Sequence, residues 1–206
     1  MTESDQTPSA DKQPPMPLGK YAAVAIFLMV VVGASFAYQQ MTSVYHLATV
    51  QPGVLYRDGA RSERELQRAV ERVHAKTVVC LVDDRELNDP KKPQFKAEEA
   101  YLKQQGIAME RIPVKLGGWP NTPDVQKFLA IVNDKKKQPV LVHCAQGVRR
   151  TAMMVAAFQE TVLGFDKDRA KGEILTFGHS DNTVNDIRRF IDGYDPKTQT
   201  VTLDVK

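Results

Sequence analysis

The sequence predicts an α/β domain with a mostly parallel sheet covered on both faces by helices. Two apolar, β-branched runs, Thr77–Val82 and Pro139–His143, read as fully buried strands. Between and after them lie segments with helical periodicity and recognisable caps. Strands that alternate with helices call for parallel pairing, because each crossover helix packs back onto the sheet. Apolar residues make up 42% of the 206-residue chain, enough for a packed core and too many for a disordered polymer.

Residues 1–20 mix Ser, Pro and scattered charges and predict a flexible tail. Tyr21 to Tyr38 carries no charge over 18 residues, and a helix of that length spans about 27 Å, close to the ~30 Å of a bilayer core. It predicts a single-pass membrane helix, or the hydrophobic part of a signal peptide with Ser35-Phe36-Ala37 as cleavage site. Lys12 and Lys20 precede it and no Lys or Arg follows before Arg57, so the positive-inside rule places the rest of the chain on the non-cytoplasmic side. Residues 39–52 read as a linker and 53–206 as the folded domain.

Within that domain Val54-Leu55-Tyr56 reads as a short strand, and Ser62 with Glu65 as a capping box opening a helix. Residues 94–105 are helix-like, and Met109 to Val114 reads as a strand. Thr122-Pro123 reads as a cap and first-turn proline, with Val125, Phe128, Leu129 and Val132 on the buried face of the helix. Further helices are predicted over 149–161, 166–175 and 182–191.

Charge and composition exclude other classes. The formal net charge is +3, and no basic stripe with interleaved aromatics points to nucleic acid; Lys135-Lys136-Lys137 reads as a solvated helix end. Cys80 and Cys144 are the two cysteines, too few for a disulfide scaffold and without zinc-site spacing.

The chemistry concentrates where the 139–143 strand meets the next helix, at His143-Cys144-Ala145-Gln146-Gly147-Val148-Arg149-Arg150-Thr151. Loop amides and a helix N-terminus converge there on an anion. Gly147 permits the turn and the close approach of backbone to ligand. Arg150 in the first helical turn presents a planar fork to two phosphate oxygens. The same positive environment stabilises a Cys144 thiolate, and the Thr151 hydroxyl is placed to assist that sulfur as a leaving group. One loop thus combines a nucleophile with a receptor for a dianion, the residues 145–150 forming the cradle.

These residues match H-C-x-x-G-x-x-R-[ST], and the chain resembles the protein-tyrosine/dual-specificity phosphatase superfamily over roughly residues 50–195, in its compact bacterial form. Pro52 to Arg57, the strand ending at Leu81, and Arg169-Ala170 with Glu173 add to the likeness. The resemblance implies a four- to five-stranded cysteine-phosphatase fold. It also implies a two-step reaction through phosphocysteine, without metal or other cofactor, on phosphotyrosine proteins or other phosphate monoesters. Cys144 attacks, while Arg150 and the amides of 145–149 hold the equatorial oxygens. His143 braces the loop. In some relatives a second cysteine forms a reversible disulfide with the nucleophile, a role that would fall to Cys80.

Two positions depart from the pattern. Relatives carry a general-acid Asp about 30 residues before the cysteine, and here Lys115 and Leu116 occupy that place. Asp124 is the nearest carboxylate, read either as the acid or as a residue of the next helix's first turn; Asp83 and Asp84 at a strand end are the other candidates. Without the acid an aryl-phosphate preference is expected, because a phenol (pKa ≈ 10) leaves more readily than an alkyl alcohol. Arg149 stands where many tyrosine-specific members have Gly, and reads either as a rim cation favouring polyanions such as inositol phosphates or as a solvated helix residue. The competing readings are a phosphate-binding module with little turnover and, less compatible with the spacing, a sulfurtransferase-like enzyme. Trp119 reads as packing or as a cover for the pocket, and His179 as structural.

Overall fold

A computed structural model describes residues 18–59, 62–174 and 180–203. His179, Leu175 and residues 1–17 of the proposed tail lie outside them. The chain divides into two units, Met1–Ser43 and Val44–Lys206.

The first unit contains helix α1, Leu18–Thr42. Its Tyr21 to Ser35 side chains are exposed, and those fifteen residues would reach about 22 Å along a helix. Among the described residues no helix is long and apolar enough to cross a membrane. The single-pass anchor over 21–38, and the membrane location and sidedness built on it, are therefore withdrawn.

The second unit is a five-stranded sheet in the order β1-β2-β5-β3-β4. The strands are β1 (Ala48–Gln51), β2 (Leu55–Gly59), β3 (Thr77–Cys80), β4 (Ala108–Arg111) and β5 (Val140–Cys144). β2, β5, β3 and β4 pair in parallel, and β1 joins β2 antiparallel at the edge. β1 falls in the stretch read as linker; a four-residue edge strand, half-buried at most, leaves no apolar run to detect.

Helices α2 (Glu63–Val73) and α4 (Gln94–Gln104) share one side of the sheet. On α2, Leu66, Ala69, Val70 and Val73 recur every three or four residues and are buried. Ser62 caps that helix, accepting from the Glu65 N–H. The other side carries α5 (Thr122–Asn133), α6 (Arg149–Thr161), α7 (Lys167–Glu173) and α8 (Asp181–Gly193). The expected face of α5 is buried, with Val125, Phe128 and Val132 at zero exposure; truncating such a Phe to Ala typically costs ~3–5 kcal/mol. Its cap is Asn121, with Thr122 already helical. Two short features carried no sequence signal: the one-turn α3 (Asp84–Leu87) and the hairpin β6 (Tyr194–Asp195) with β7 (Thr200–Val201).

The pleat of β5 divides its side chains between two cores. Val140, Val142 and Cys144 face the α5/α6 core, whereas Leu141 packs on the α2/α4 side. His143 shares that second side.

Candidate active site

The strand–loop–helix junction forms as its residue types require. All five residues of β5 are buried. The chain then turns through Ala145–Val148 into α6, whose residues 150–160 are all buried. Gly147 holds φ +68°, and a Cβ there would lie 2.5 Å from the Asp58 carbonyl carbon and 2.7 Å from the Gly59 nitrogen. Gly59 is the reciprocal case, a Cβ lying 2.6 Å from the Gln146 carbonyl. Two glycines therefore let the end of β2 press against the loop.

The loop's carbonyls are engaged from behind. The buried Arg57 guanidinium donates to the Gly147 carbonyl at 2.6 Å, and the His46 ring donates to the Gln146 carbonyl at 2.9 Å. Burial lowers Arg57 to about 10, against the opposing influence of Cys144, Asp58 and Glu173. With its carbonyls drawn outward, the loop turns amides to the sulfur. Burial alone would raise the Cys144 thiol, yet its pKa lies below the usual value. The causes are the Arg150 charge first, then the nearby Thr151 and the Gln146 amide. Cys144, the loop and Arg150, singled out in the sequence, thus come together.

Arg150 is 4% exposed and held by three acceptors on Nη1: Glu86 Oε2 at 2.5 Å, the Val114 carbonyl at 3.1 Å and the Leu81 carbonyl at 3.3 Å. Burial opposes its charge, but Glu86 and Cys144 keep its pKa above the usual value. Glu86 also meets Lys92 at 3.3 Å. Asp83 caps α3 through the Glu86 amide and takes the Leu116 amide at 2.9 Å. Burial would raise it, but those amide bonds hold it below the usual carboxylate value.

Cys144 lies in a pocket of about 490 Å³ lined by the loop, Arg149, Arg150, Glu86, Lys92, Leu116, Gly117, Ser180 and Thr183. A second cavity of about 260 Å³ lies behind Arg57, between β1, α6 and α7, and does not include the cysteine.

The acid candidates fare differently. Asp124 forms a reciprocal capping box with Asn121, at 3.0 and 2.9 Å, and is not among the pocket-lining residues. Asp83 is the α3 cap, and Asp84 pairs with Arg111 at 2.8 Å. The geometry therefore assigns Asp124 to the helix. Arg149 is no solvated residue: it donates to Asp186 at 2.9 Å and to the Gly118 carbonyl. Arg149 and Arg189 each lie over the Trp119 ring, at 5.5 and 5.2 Å. Leu116 at one end and Gly118-Trp119 at the other are thus fastened.

Cys80 is in register with His143, one residue short of Cys144, and packs with Val82 and Phe95. Cys144 belongs to the opposite core. The pleat sends the two sulfurs to different faces, so Cys80 is not placed as a disulfide partner for Cys144. His143 instead meets Glu98 of α4 at 2.6 Å, both fully buried. Cys80, Glu98 and His143 place their donor atoms within 4.8 Å of one another; a metal there would have to break that ion pair first.

Arg57, Glu86 and Glu98 join the site without having been singled out from the sequence. Each reaches its partner from 45 to 90 residues away. A signal existed only for Arg57, which ends the Pro52–Arg57 stretch that resembles compact phosphatases.

Fold and loop define a cysteine-based phosphatase of the dual-specificity/protein-tyrosine-phosphatase type. The family described as "DSP-PTPase phosphatase fused to NAD+ Kinase" matches residues 37–188, and the chain belongs to it. The dual specificity protein phosphatase TpbA of Pseudomonas aeruginosa is 24% identical over 127 residues, 61% of this chain and 53% of that protein. A probable chloroplastic NAD kinase 2 of Oryza sativa is 30% identical over 80 residues, 39% of this chain and 8% of that protein. The chain thus spans about half of one relative and under a tenth of the other. Among solved structures, the PP-IP phosphatase SIW14 core from S. cerevisiae superposes with TM-score 0.59 at 19% identity, covering 74% of this chain and 86% of that one. The P. aeruginosa TpbA structure superposes with TM-score 0.58 at 22% identity, covering 75% and 88%. These likenesses establish the fold.

Proposed function

We propose that the chain hydrolyses aryl phosphate monoesters, phosphotyrosine above all, with Cys144 as nucleophile. The observation that carries this is the buried Cys144 thiol, held below its usual pKa at the centre of an amide-lined loop with Arg150 beside it. The Cys144 thiolate attacks phosphorus in line; a P–S bond forms as the P–O bond to the phenol breaks, and water protonates the phenolate. Water then attacks phosphorus, and the sulfur leaves as thiolate, eased by the Thr151 hydroxyl. The amides of 145–149 and the Arg150 atoms not engaged by Glu86 take the charge on the equatorial oxygens. A TpbA structure in complex with pTyr supports the substrate class. So does the absence of a free carboxylate among the described lining residues: Glu86 is ion-paired. A leaving group that needs no acid then gains about 10²–10⁴-fold over one that does.

A second reading is a polyphosphorylated substrate, favoured by Lys92 and Arg149 at the pocket wall. The SIW14 likeness belongs with it.

The test is hydrolysis of para-nitrophenyl phosphate, a phosphotyrosine peptide and a phosphoserine peptide by the full chain in EDTA, beside Cys144→Ser. Aryl turnover lost in the variant supports the leading reading; equal rates on the two peptides remove the aryl preference. Vanadate binding without turnover would make the cradle a receptor.

A further inference from the structure

A row of polar groups crosses the sheet directly beneath the loop. Asp58 on β2, His143 on β5 and Cys80 on β3 are register partners, and Gly59 and Cys144 are the next pair along. Neighbours in parallel register project to the same face, so all three side chains turn toward the α2/α4 side. Glu98 comes down from α4 and meets His143 Nε2 at 2.6 Å. His143 and Asp58 are fully buried and Glu98 is 1% exposed.

An ion pair this deep is not explained by stability. Replacing such a pair with apolar residues is often neutral or stabilising, and the positions around it are filled by Val, Leu and Phe. Its location supplies a reason. His143 is the residue before the nucleophile, so its peptide carries Cys144. The His143 carbonyl accepts from the Leu81 amide at 2.9 Å, and the Leu81 carbonyl accepts from Arg150. One side chain therefore sits at the junction of two lines, a covalent one to the sulfur and a hydrogen-bonded one to the guanidinium.

We propose that Glu98 is a positioning residue for the phosphatase centre: by gripping His143 it fixes the peptide that carries Cys144 and the Leu81 carbonyl that receives Arg150. This rests on the proposed roles of Cys144 and Arg150. Glu98 touches neither substrate nor sulfur and acts through His143 alone. The charged groups facing His143 are consistent with a locked pair. Burial opposes its protonation, but Glu98 on α4 and Cys80 on β3 hold its pKa well above the usual value. Asp58 on β2 is pushed up to about 7 by burial, against the His143 charge and with Glu98 and Glu65 of α2 adding to the rise; neither of its oxygens is hydrogen-bonded, whereas Glu98 meets His143 directly.

The decisive variant is Glu98→Gln, which keeps the shape and removes the charge. A protonated His143 beside Glu98 and a neutral His143 beside Gln have the same total charge, so the pair's net charge is kept, and a change at the sulfur is read together with kcat as a change of geometry. Three readouts are taken on the full chain: kcat and KM on para-nitrophenyl phosphate, the pH profile of iodoacetamide alkylation corrected with Cys144→Ser, and Tm. The expected result is a kcat lower by about 10–100-fold, the scale of a small misplacement of reacting groups, with KM within about twofold. The alkylation midpoint moves to higher pH. The Glu98→Gln/His143→Asn double variant loses no more than the worse single one, because both break one connection. Glu98→Asp, which keeps the charge on a shorter arm, recovers part of the loss and replaces Glu98→Gln should that variant fail to fold.

A Glu98 variant with lowered Tm but wild-type kcat and an unmoved alkylation midpoint would overturn the proposal and leave Glu98 a packing residue. Additive losses in the double variant would do the same. If the wild type shows no Cys144-dependent turnover, the functional reading fails by itself, while the alkylation profile still decides whether Glu98 governs the sulfur.

Discussion

Gly147→Ala is the sharpest perturbation of the phosphate loop, because two costs add at one atom. The φ of +68° costs an L-residue about 1–2 kcal/mol. The new Cβ would also stand 2.5 Å from the Asp58 carbonyl carbon and 2.7 Å from the Gly59 nitrogen, where ordinary contact begins at 3.4 Å. Both neighbours are backbone in β2, so neither rotates away, and overpacking of this kind costs about 1–3 kcal/mol. Together they amount to about 2–5 kcal/mol, or a Tm lower by about 4–20 °C for a chain of this size. Relief requires the loop to retreat by about 1 Å or more, because the difference between 2.5 and 3.4 Å is a lower bound and the Asp58 carbonyl oxygen lies closer still. That retreat strains the Arg57 bond to the Gly147 carbonyl and moves the amides off the phosphate. A displacement of that size is worth about 10²-fold in rate. The assay is thermal melting with and without vanadate, alongside kcat/KM on para-nitrophenyl phosphate. An alanine variant within about 2 °C and twofold of wild type, on the order of experimental error, would refute the reasoning about the β2–loop contact.

Three further outcomes are expected. Asp58 is fully buried with neither carboxylate oxygen hydrogen-bonded, and burial pushes it from 3.8 to about 7. The folded state therefore binds more protons than the unfolded chain between those values, and stability falls as pH rises through the window, by up to ~4 kcal/mol. Asp58→Asn should match wild type near pH 4 and melt several degrees higher at pH 8; parallel Tm–pH curves would exclude it. Glu86→Gln removes the charge that holds Arg150 at 2.5 Å, and should cost about 3–5 kcal/mol by leaving a buried cation unpaired; kcat/KM should fall at least tenfold, and full activity in that variant would show that Arg150 needs no anchor. Asp124→Asn loses the carboxylate half of a capping box, worth about 1 kcal/mol, and should leave kcat within twofold; a large fall in kcat with a lost basic limb in the pH–rate profile would restore Asp124 as the acid.

What the sequence discloses depends on whether the relevant physics is local. Val140–Cys144 and Thr77–Cys80 are buried strands because every residue in them except His143 is apolar or small enough for a two-sided interior, and that is visible without partners. The α5 face and the Cys144–Arg150 loop are legible for the same reason, one from periodicity and the other from spacing. Asn121 displaces Thr122 as the cap through a one-residue difference that propensity does not resolve. Glu86 and Glu98 escape because their roles exist only after α3 and α4 are brought around β5, and nothing in their neighbours marks them; Arg57 is marked only as the end of the Pro52–Arg57 stretch, with its bond to the loop visible in three dimensions alone. Asp124 misleads because an N3 carboxylate and a catalytic carboxylate look alike in one dimension. The apolar run after Lys20 suggests a span by composition alone, and the described helix does not meet the requirement for crossing a bilayer.

The fastening of the 116–119 segment has a thermodynamic meaning. Asp83 takes the Leu116 amide, Arg149 takes the Gly118 carbonyl, and Trp119 lies under two guanidinium groups. The conformational entropy of this wall is lost when the chain folds and not when a substrate arrives. A ligand meeting this wall therefore carries no cost for ordering 116–119. If the chain turns over substrate as proposed, this segment should add no viscosity-dependent step to turnover.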